Sequence, residues 1–442
     1  MQINLKPVFV NKAPSSTLAI NEDVQKRWAS GKRVLHMGFG ESRFAVHEKL
    51  QRALQAHACA KSYMPSQGLP ELREAVAAYY SDKHHLLFNA DQVLIGPGSK
   101  ALIYALQLAL DADLFLPSPS WVSYAPQAEL LGSRIFYVPS RVDDGYSFDL
   151  KAFAVTLEQS SNPNKLLILN SPNNPTGHMW SESSLRELAE FCREHNILVI
   201  SDEIYFLVEH GKVKHKSIAK FYPEGTFILG GLSKHLSIGG WRVGVALLPD
   251  SESGKLLMQA VKVIASEIWS SVAAPIQYAA LQAYSHDPEI EAYIKTCSRI
   301  HGIRTKFLYQ KLTELGISCT KPLGAFYLTA NFDAWADPLR EIGVESSAQL
   351  ARYLLDQHDL ATLSTDAFGI PEKTLSLRLA TSYLDMEKDE DSQRLTSLLA
   401  SGVSEQEFMS EANHPNTHAA IGEFEKFVER CNDAYTSAAR AL

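Results

Sequence analysis

Cysteine is scarce and scattered in this chain. Cys59, Cys192, Cys297, Cys319 and Cys431 form no CxxC pair. That argues against a zinc site or a disulfide framework and fits a reducing compartment. No apolar run approaches the roughly 20 residues that cross a bilayer, so no membrane role is expected. The opening MQINLKPVFVNKAP has no apolar core of signal-peptide type and reads as an arm. Positive charge is not in excess: 42 Lys and Arg against 50 Asp and Glu leave a net charge of −8. A nucleic-acid surface is therefore not expected. No internal repeat or low-complexity tract is present. The third glycine of a dinucleotide fingerprint is missing from GFGESR at 38–43. The glycine-rich GPGSK at 96–100 lacks Walker spacing and a following Ser or Thr. A cytoplasmic protein is the expectation, with a small-molecule partner and no metal.

What is present is an ordinary globular composition, 45% hydrophobic and 21% charged, over 442 residues. That length exceeds one hydrophobic core and predicts two domains. The pattern predicts a helix over 21–30, a short strand over 34–38, and helices over 46–57 and 69–82, with a loop at 63–68 between the latter two. A strand at 93–96 leads through glycines into a helix that ends near 110. Strands and helices then alternate: strands at 114–116, 134–138, 165–170, 197–201, 226–229 and 243–247, with a helix over 182–195. Such alternation predicts a mainly parallel sheet covered by helices on both faces, an α/β/α large domain. A helical region follows from 251 to about 316, broken near 270–275. Strands at 324–332 and 375–381 and helices at 349–357 and 422–438 read as a smaller α+β unit. The domain expectation is 1–45 for the arm and part of the small domain, 46–305 for the large domain and 306–442 for the small one. The polar, acidic-leaning 386–418 reads as a solvated insertion.

One stretch organises the chemistry. FILGGLSKHLSIGGWRVG at 227–244 places Lys234 after an apolar strand and Arg242 after a glycine-rich turn. Ser233-Lys234 would put an amine at the carboxyl edge of the sheet, where open α/β folds build their sites. An amine able to form a Schiff base, near a phosphate-gripping arginine, points to pyridoxal 5′-phosphate. That cofactor makes further demands, and strand-end residues answer them. A carboxylate must keep the ring nitrogen protonated, and Asp202 ends ILVISD. Asn174 and Tyr205 can face the ring oxygen. Trp121 can stack on the ring. Gly98, Ser99 and Lys100 open a helix whose free N–H groups favour an anion, and with Ser233, Arg242 and Tyr63 they complete the cofactor-binding candidates. His235, although next to Lys234, reads as structural.

The ordered set Y-x4-G-x3-LR, G-S-x-A-L, PSPSW, SPNNPTG, SDEIY, SK-x7-R and SLRL resembles the fold-type I, class I/II aminotransferase family. The N-terminal PSSTLAINEDVQKRWASGKRV further resembles its bacterial aspartate/prephenate-type subgroup. The resemblance implies an amino-group transfer between an L-amino acid and a 2-oxo acid by ping-pong chemistry. It implies that Lys234 holds the cofactor as an aldimine and shuttles the proton. Asp202 would salt-bridge the ring nitrogen, and Asn174 and Tyr205 would bind the ring oxygen. Trp121 would take the place of the stacking aromatic. Arg242, Ser99 and the Gly98 backbone would hold the phosphate, with Tyr63 reaching in from a second subunit of a homodimer. Arg378 would clamp the substrate carboxylate, aided by Asn174 and backbone near Gly40.

The chain departs from the family pattern at three places. Gly231 stands where a phosphate-binding serine is usual. Arg43 stands where an acidic residue is common, in GESRF. Ile268 stands near where dicarboxylate-specific members carry a partner-subunit arginine, which weakens an aspartate or glutamate assignment; Arg43 or Lys100 can compensate, and Trp269 can favour aromatic or apolar side chains. Another pyridoxal-phosphate reaction on this fold, by a β-lyase, a cyclase or synthase, or a hydroxylase, stays open at this point. A non-enzymatic regulator would need an N-terminal basic helix-turn-helix, which the sequence does not show.

Overall fold

The computed structural model describes residues 3–10, 12–141 and 146–441. Met1, Gln2 and Asn11 of the expected arm lie outside the described residues. The strands are β1 (Leu35–His36), β2 (Val93–Gly96), β3 (Asp113–Ser118), β4 (Ile135–Arg141), β5 (Ser147–Phe148), β6 (Lys165–Asn170), β7 (Ile197–Asp202), β8 (Thr226–Gly231), β9 (Gly244–Leu247), β10 (Ser318–Cys319), β11 (Tyr327–Asn331), β12 (Leu360–Ala361), β13 (Leu363–Ser364) and β14 (Ser376–Ala380). Among the described residues the large sheet runs in the order β2-β9-β8-β7-β6-β3-β4-β5. The pairs from β8 through β4 are parallel, while β9 and β5 pair antiparallel with their neighbours.

The three layers follow from strand periodicity. Successive side chains of a strand point to opposite faces. Leu198 and Ile200 of β7 join Leu114, Ile168 and Leu229 against the helices Ser99–Ala109, Tyr124–Leu131 and Glu252–Ile268. Ile197 and Val199 point the other way, with Phe115 and Leu167, onto Leu150–Leu157 and Glu182–Glu194. At the β2 end of the sheet, Val93, Ile95 and Ile228 meet Pro70–His84 and Ala274–Ala283. Central strands buried on both faces read as continuous apolar runs, which is why LLIL and ILVI were recognisable.

A second sheet, β10-β11-β14-β13, is antiparallel throughout and has its own core. β1 joins this part of the molecule by pairing in parallel with β12. The helix Pro288–Glu314 links the two cores. Its Ile290 and Ile294 belong to the large core, and its Leu308 and Leu312 to the small one. The boundary expected at 305/306 therefore falls inside one continuous helix.

Two expectations are corrected here. The helical stretch after 251 has a second break at 284–287, where Asp287 caps the helix Pro288–Glu314 by accepting from Glu289 N and Ile290 N. Segment 386–418 is not a solvated loop. It folds into Asp389–Ala400 and Glu405–Phe408, and it buries Met386, Leu395, Leu399, Phe408 and Met409 against Ile300 and Ile303. Its exposed acids had masked apolar residues at helical spacing. Among the described residues, no helix is long and apolar enough to cross a membrane.

Candidate active site

The carboxyl ends of β3, β6, β7 and β8 meet the small sheet across a cavity of about 400 Å³. Its lining includes Gly40, Ser99, Lys100, Trp121, Asn174, Asp202, Tyr205, Ser233, Lys234, Arg242 and Arg378. The structure thus brings together most of the residues singled out from sequence. Gly98 stands directly behind them, and Tyr63 is elsewhere.

Lys234 follows β8 by three residues, which places its amine above the sheet edge. Its Nζ donates to Gly40 O at 2.8 Å and lies 5.5 Å from the centre of the Tyr205 ring. Desolvation pushes its ammonium down to about 8, with Glu41 opposing the shift and Arg378 adding to it. Asp202 ends β7 and points into the cavity. Burial pushes its carboxyl up to about 6, against hydrogen bonds from Tyr124 and from Ile204 N. The Tyr124 hydroxyl donates to Oδ2 at 2.6 Å. The next residue, Glu203, lies in the opposite direction. Burial alone would raise its carboxyl, but His84 and His215 beside it hold it below the usual carboxylate range. Ser201 and Ser217 donate to its other oxygen.

Asn174 is fixed by its backbone N–H, which donates to Asn170 Oδ1 at 2.8 Å. Asn170 is held in turn by its Nδ2, which donates to Asp202 O at 2.8 Å. Tyr205 and Tyr327 share a hydroxyl–hydroxyl bond of 2.7 Å. Arg378 projects from β14 and is 1% exposed. It donates to Gly38 O and lies 4.9 Å from the Tyr327 ring. Trp121 meets Tyr124 edge-on at 5.3 Å.

The end of the cavity expected to take a phosphate is built from backbone. Gly98, with φ 89°, precedes the helix Ser99–Ala109, whose first N–H groups are free of helical partners. Arg242 folds across this turn, donating to Gly239 O at 2.8 Å and to Pro97 O at 3.3 Å. The positive φ favours glycine at position 98, and a Cβ there would also come within 2.2 Å of the Arg242 guanidinium and displace it. Gly231 has a similar explanation. Its φ is 155°, and a Cβ there would lie 2.6 Å from Val243 O. A serine there would strain this backbone and press on Val243 O, which disfavours the usual hydroxyl at this position.

Three observations show that this cavity fits pyridoxal phosphate. A carboxylate, Asp202, is buried with no ion-pair partner among the described residues, as a pyridinium nitrogen requires. The buried Oδ1 of Asn174 has no hydrogen-bond partner. A glycine-backed helix start lies beside an arginine at the other end of the cavity.

Other expectations divide. Tyr63 is 91% exposed and outside the cavity. Ile268 is also exposed, and Trp269 packs against the core, away from the cavity. Arg43 is engaged by Glu41 at 3.0 Å, by Glu387 O at 2.7 Å and by the Tyr383 ring. Lys100 does line the cavity, 5.0 Å from the Trp121 ring. Tyr124, Asn170 and Tyr327 were missed from sequence. Tyr124 carried a faint signal, lying three residues after Trp121. Asn170 carried one too, as the last residue of β6 and four residues before Asn174, whereas Tyr327 reaches the site only through folding.

Residues 32–391 match the family described as aminotransferase class I and II. The chain is 33% identical to the aspartate aminotransferase of Bacillus subtilis over 381 residues, covering 84% of this chain and 92% of that one. It is 31% identical to a probable aspartate/prephenate aminotransferase of Aquifex aeolicus, over 81% and 90% of the two chains. The fold is similar to that of Thermus thermophilus aspartate aminotransferase solved with maleate. The TM-score is 0.80 at 24% identity, covering 96% of this chain and all of that one.

Proposed function

The chain belongs to the class I and II aminotransferases, and from that premise we propose that its cavity uses pyridoxal 5′-phosphate to transfer the amino group of an acidic L-amino acid. The observation that carries this reading is the convergence of Lys234, Asp202, Asn174, Tyr205, Arg242 and Arg378 on one cavity. When bound, the cofactor supplies an electrophilic carbon that takes the amino group and a ring that draws electrons from the substrate Cα.

The protein's own residues divide the work. Lys234 would hold the cofactor, and Arg242 with the Gly98–Ser99 backbone would hold its phosphate. Asp202 stays ionised beside a cationic ring nitrogen, since an opposite charge favours the carboxylate over the neutral acid. Asn174 and Tyr205 would hydrogen-bond the ring oxygen. Arg378 offers a planar fork to the substrate α-carboxylate and so fixes the Cα near Lys234. Lys234 Nζ, kept partly neutral by desolvation, would be the base that takes the Cα proton and later gives it up. The donor leaves as its 2-oxo acid, and the acceptor leaves as an amino acid.

Four cations line the cavity; Lys234, Arg242 and Arg378 have the roles above, which leaves Lys100 to meet an acidic side chain on the substrate, while Arg43 lies outside the lining and is engaged by Glu41. The names of the relatives support the same choice. The loop carrying Tyr63 lies beside the break at 269–273, where Met64 N donates to Ser271 Oγ at 3.4 Å. Tyr63 and Ile268 are exposed on that side, which supports a homodimer in which Tyr63 completes the partner's site.

The test is a donor panel of Glu, Asp, Phe, Tyr, Trp, Ala, Leu, Arg and Lys, followed by loss of the cofactor's lysine-bound absorbance. Asp or Glu should convert the cofactor stoichiometrically to its amine form. Steady release of ammonia or pyruvate without an acceptor would mean a lyase instead. Lys234→Ala should lose that absorbance and nearly all turnover; near-native turnover would refute the lysine's role.

A further inference from the structure

A second concavity, of about 840 Å³, shares no lining residue with the first. It is walled by the loop 207–214, the long helix Pro288–Glu314 and residues 321–323. On the helix, Glu291, Lys295, Arg299, Gly302, Lys306 and Gln310 face it. They recur every three to four residues, so they form one stripe along the helix. Lys83, Lys214 and Lys321 bring the lining to six cations against the three carboxylates of Glu209, Glu291 and Glu405. The chain as a whole carries −8, so the groove runs against the general charge.

The pairing inside the groove sharpens this contrast. Lys83 is neutralised by Glu291 at 2.8 Å and Lys214 by Glu209 at 2.8 Å. The side chains of Lys295, Arg299, Lys306 and Lys321 have no ion pair or hydrogen bond among the described residues. Four unpaired cations thus face one unpaired carboxylate, Glu405. Like charges gathered in a concave wall repel one another and focus field on whatever enters.

The walls are held in place by the fold. Ser298 Oγ donates to Glu209 O at 2.9 Å and accepts from Glu209 N at 3.0 Å. His210 N donates to Leu323 O at 2.8 Å, and the His210 ring bonds Ala325 O at 2.8 Å. These bonds tie loop, helix and strand entrance together, so the concavity exists before any ligand arrives.

We propose that this groove is a binding site for a small polyanion, a molecule carrying several closely spaced phosphate or carboxylate groups. The stripe from Lys295 to Lys306 spans about 16 Å at about 1.5 Å per residue. That suits a small molecule with two or three anionic groups. A long nucleic acid would meet a chain that is acidic overall. The site is independent of the reaction assigned above.

The test is calorimetric titration of the cofactor-loaded enzyme with sodium tripolyphosphate, and separately with citrate, at low salt. The expected result is saturable binding, one per chain, weakened about tenfold or more by Arg299→Ala with Lys306→Ala and by added salt. Turnover and cofactor absorbance should be unchanged in that variant. Lys151→Ala, outside the groove, should bind as the native protein does. Tighter binding of tripolyphosphate assigns a phosphorylated ligand, and tighter binding of citrate a polycarboxylate; both support the site. Absence of saturation, equal binding by the double variant, or displacement of tripolyphosphate by a dicarboxylate in the catalytic cavity would overturn it. Stronger binding of a DNA duplex at the same residues would also overturn it.

Discussion

Replacing Asp202 by Asn should have opposite effects on stability and on function. Burial raises the Asp202 carboxyl to about 6 in the folded protein without cofactor, against about 3.9 in an unfolded chain. A raised carboxyl favours folding fully only below its unfolded value, and that contribution is lost as pH rises through its folded value. From pH 4 upward the native protein thus bears a growing cost that a neutral Asn does not. Linkage gives a cost of about 1.5 kcal/mol at pH 5 and about 3 kcal/mol at pH 8. Asn keeps an oxygen to accept from the Tyr124 hydroxyl, so that hydrogen bond need not be orphaned. Urea unfolding of cofactor-free native and Asp202→Asn protein, at one protein concentration and at both pH values, reads the difference. The variant should be the more stable, by about twice as much at pH 8 as at pH 5. Its turnover should collapse, because nothing then keeps a ring nitrogen protonated. Equal stability at pH 8, or an equal gain at both pH values, would refute the assignment of a desolvated, unpaired carboxylate.

Gly231→Ser, which installs the hydroxyl usual in the family, should harm this protein. Its Cβ would press on Val243 O, at a cost of about 1–3 kcal/mol. A lower melting temperature with no gain in cofactor affinity is expected, and tighter cofactor binding would contradict the steric account. Arg378→Lys loses the planar fork while staying cationic, so kcat/KM for amino donors should fall about 100-fold. Cofactor absorbance should stay native, and a shifted spectrum would mean that Arg378 also shapes the cofactor site. Mixing Lys234→Ala chains with Tyr63→Ala chains tests the shared site. Mixed dimers would hold one native site and regain activity above either parent, whereas simple averaging would place Tyr63 outside its partner's site.

The chemistry was legible in the sequence because each strand of the parallel sheet ends at one edge. Asp202, Lys234 and the Gly98–Ser99 turn each follow a short, doubly buried apolar run, and such runs are recognisable without a structure. The central strands and most helices were legible for the same reason. The 386–418 segment was misjudged because its charges outnumber its buried apolar residues, and only packing against Pro288–Glu314 separates the two faces. Tyr327 entered the site through a pairing distant in sequence, β11 with β14, which periodicity does not encode. The steric need for Gly231, the engagement of Arg43 and the presence of Lys100 in the cavity depend on side chains from separate elements meeting in space. Local sequence therefore determined which residues carry the chemistry. The tertiary structure decided which of them share a cavity, because that depends on how the two sheets close over each other.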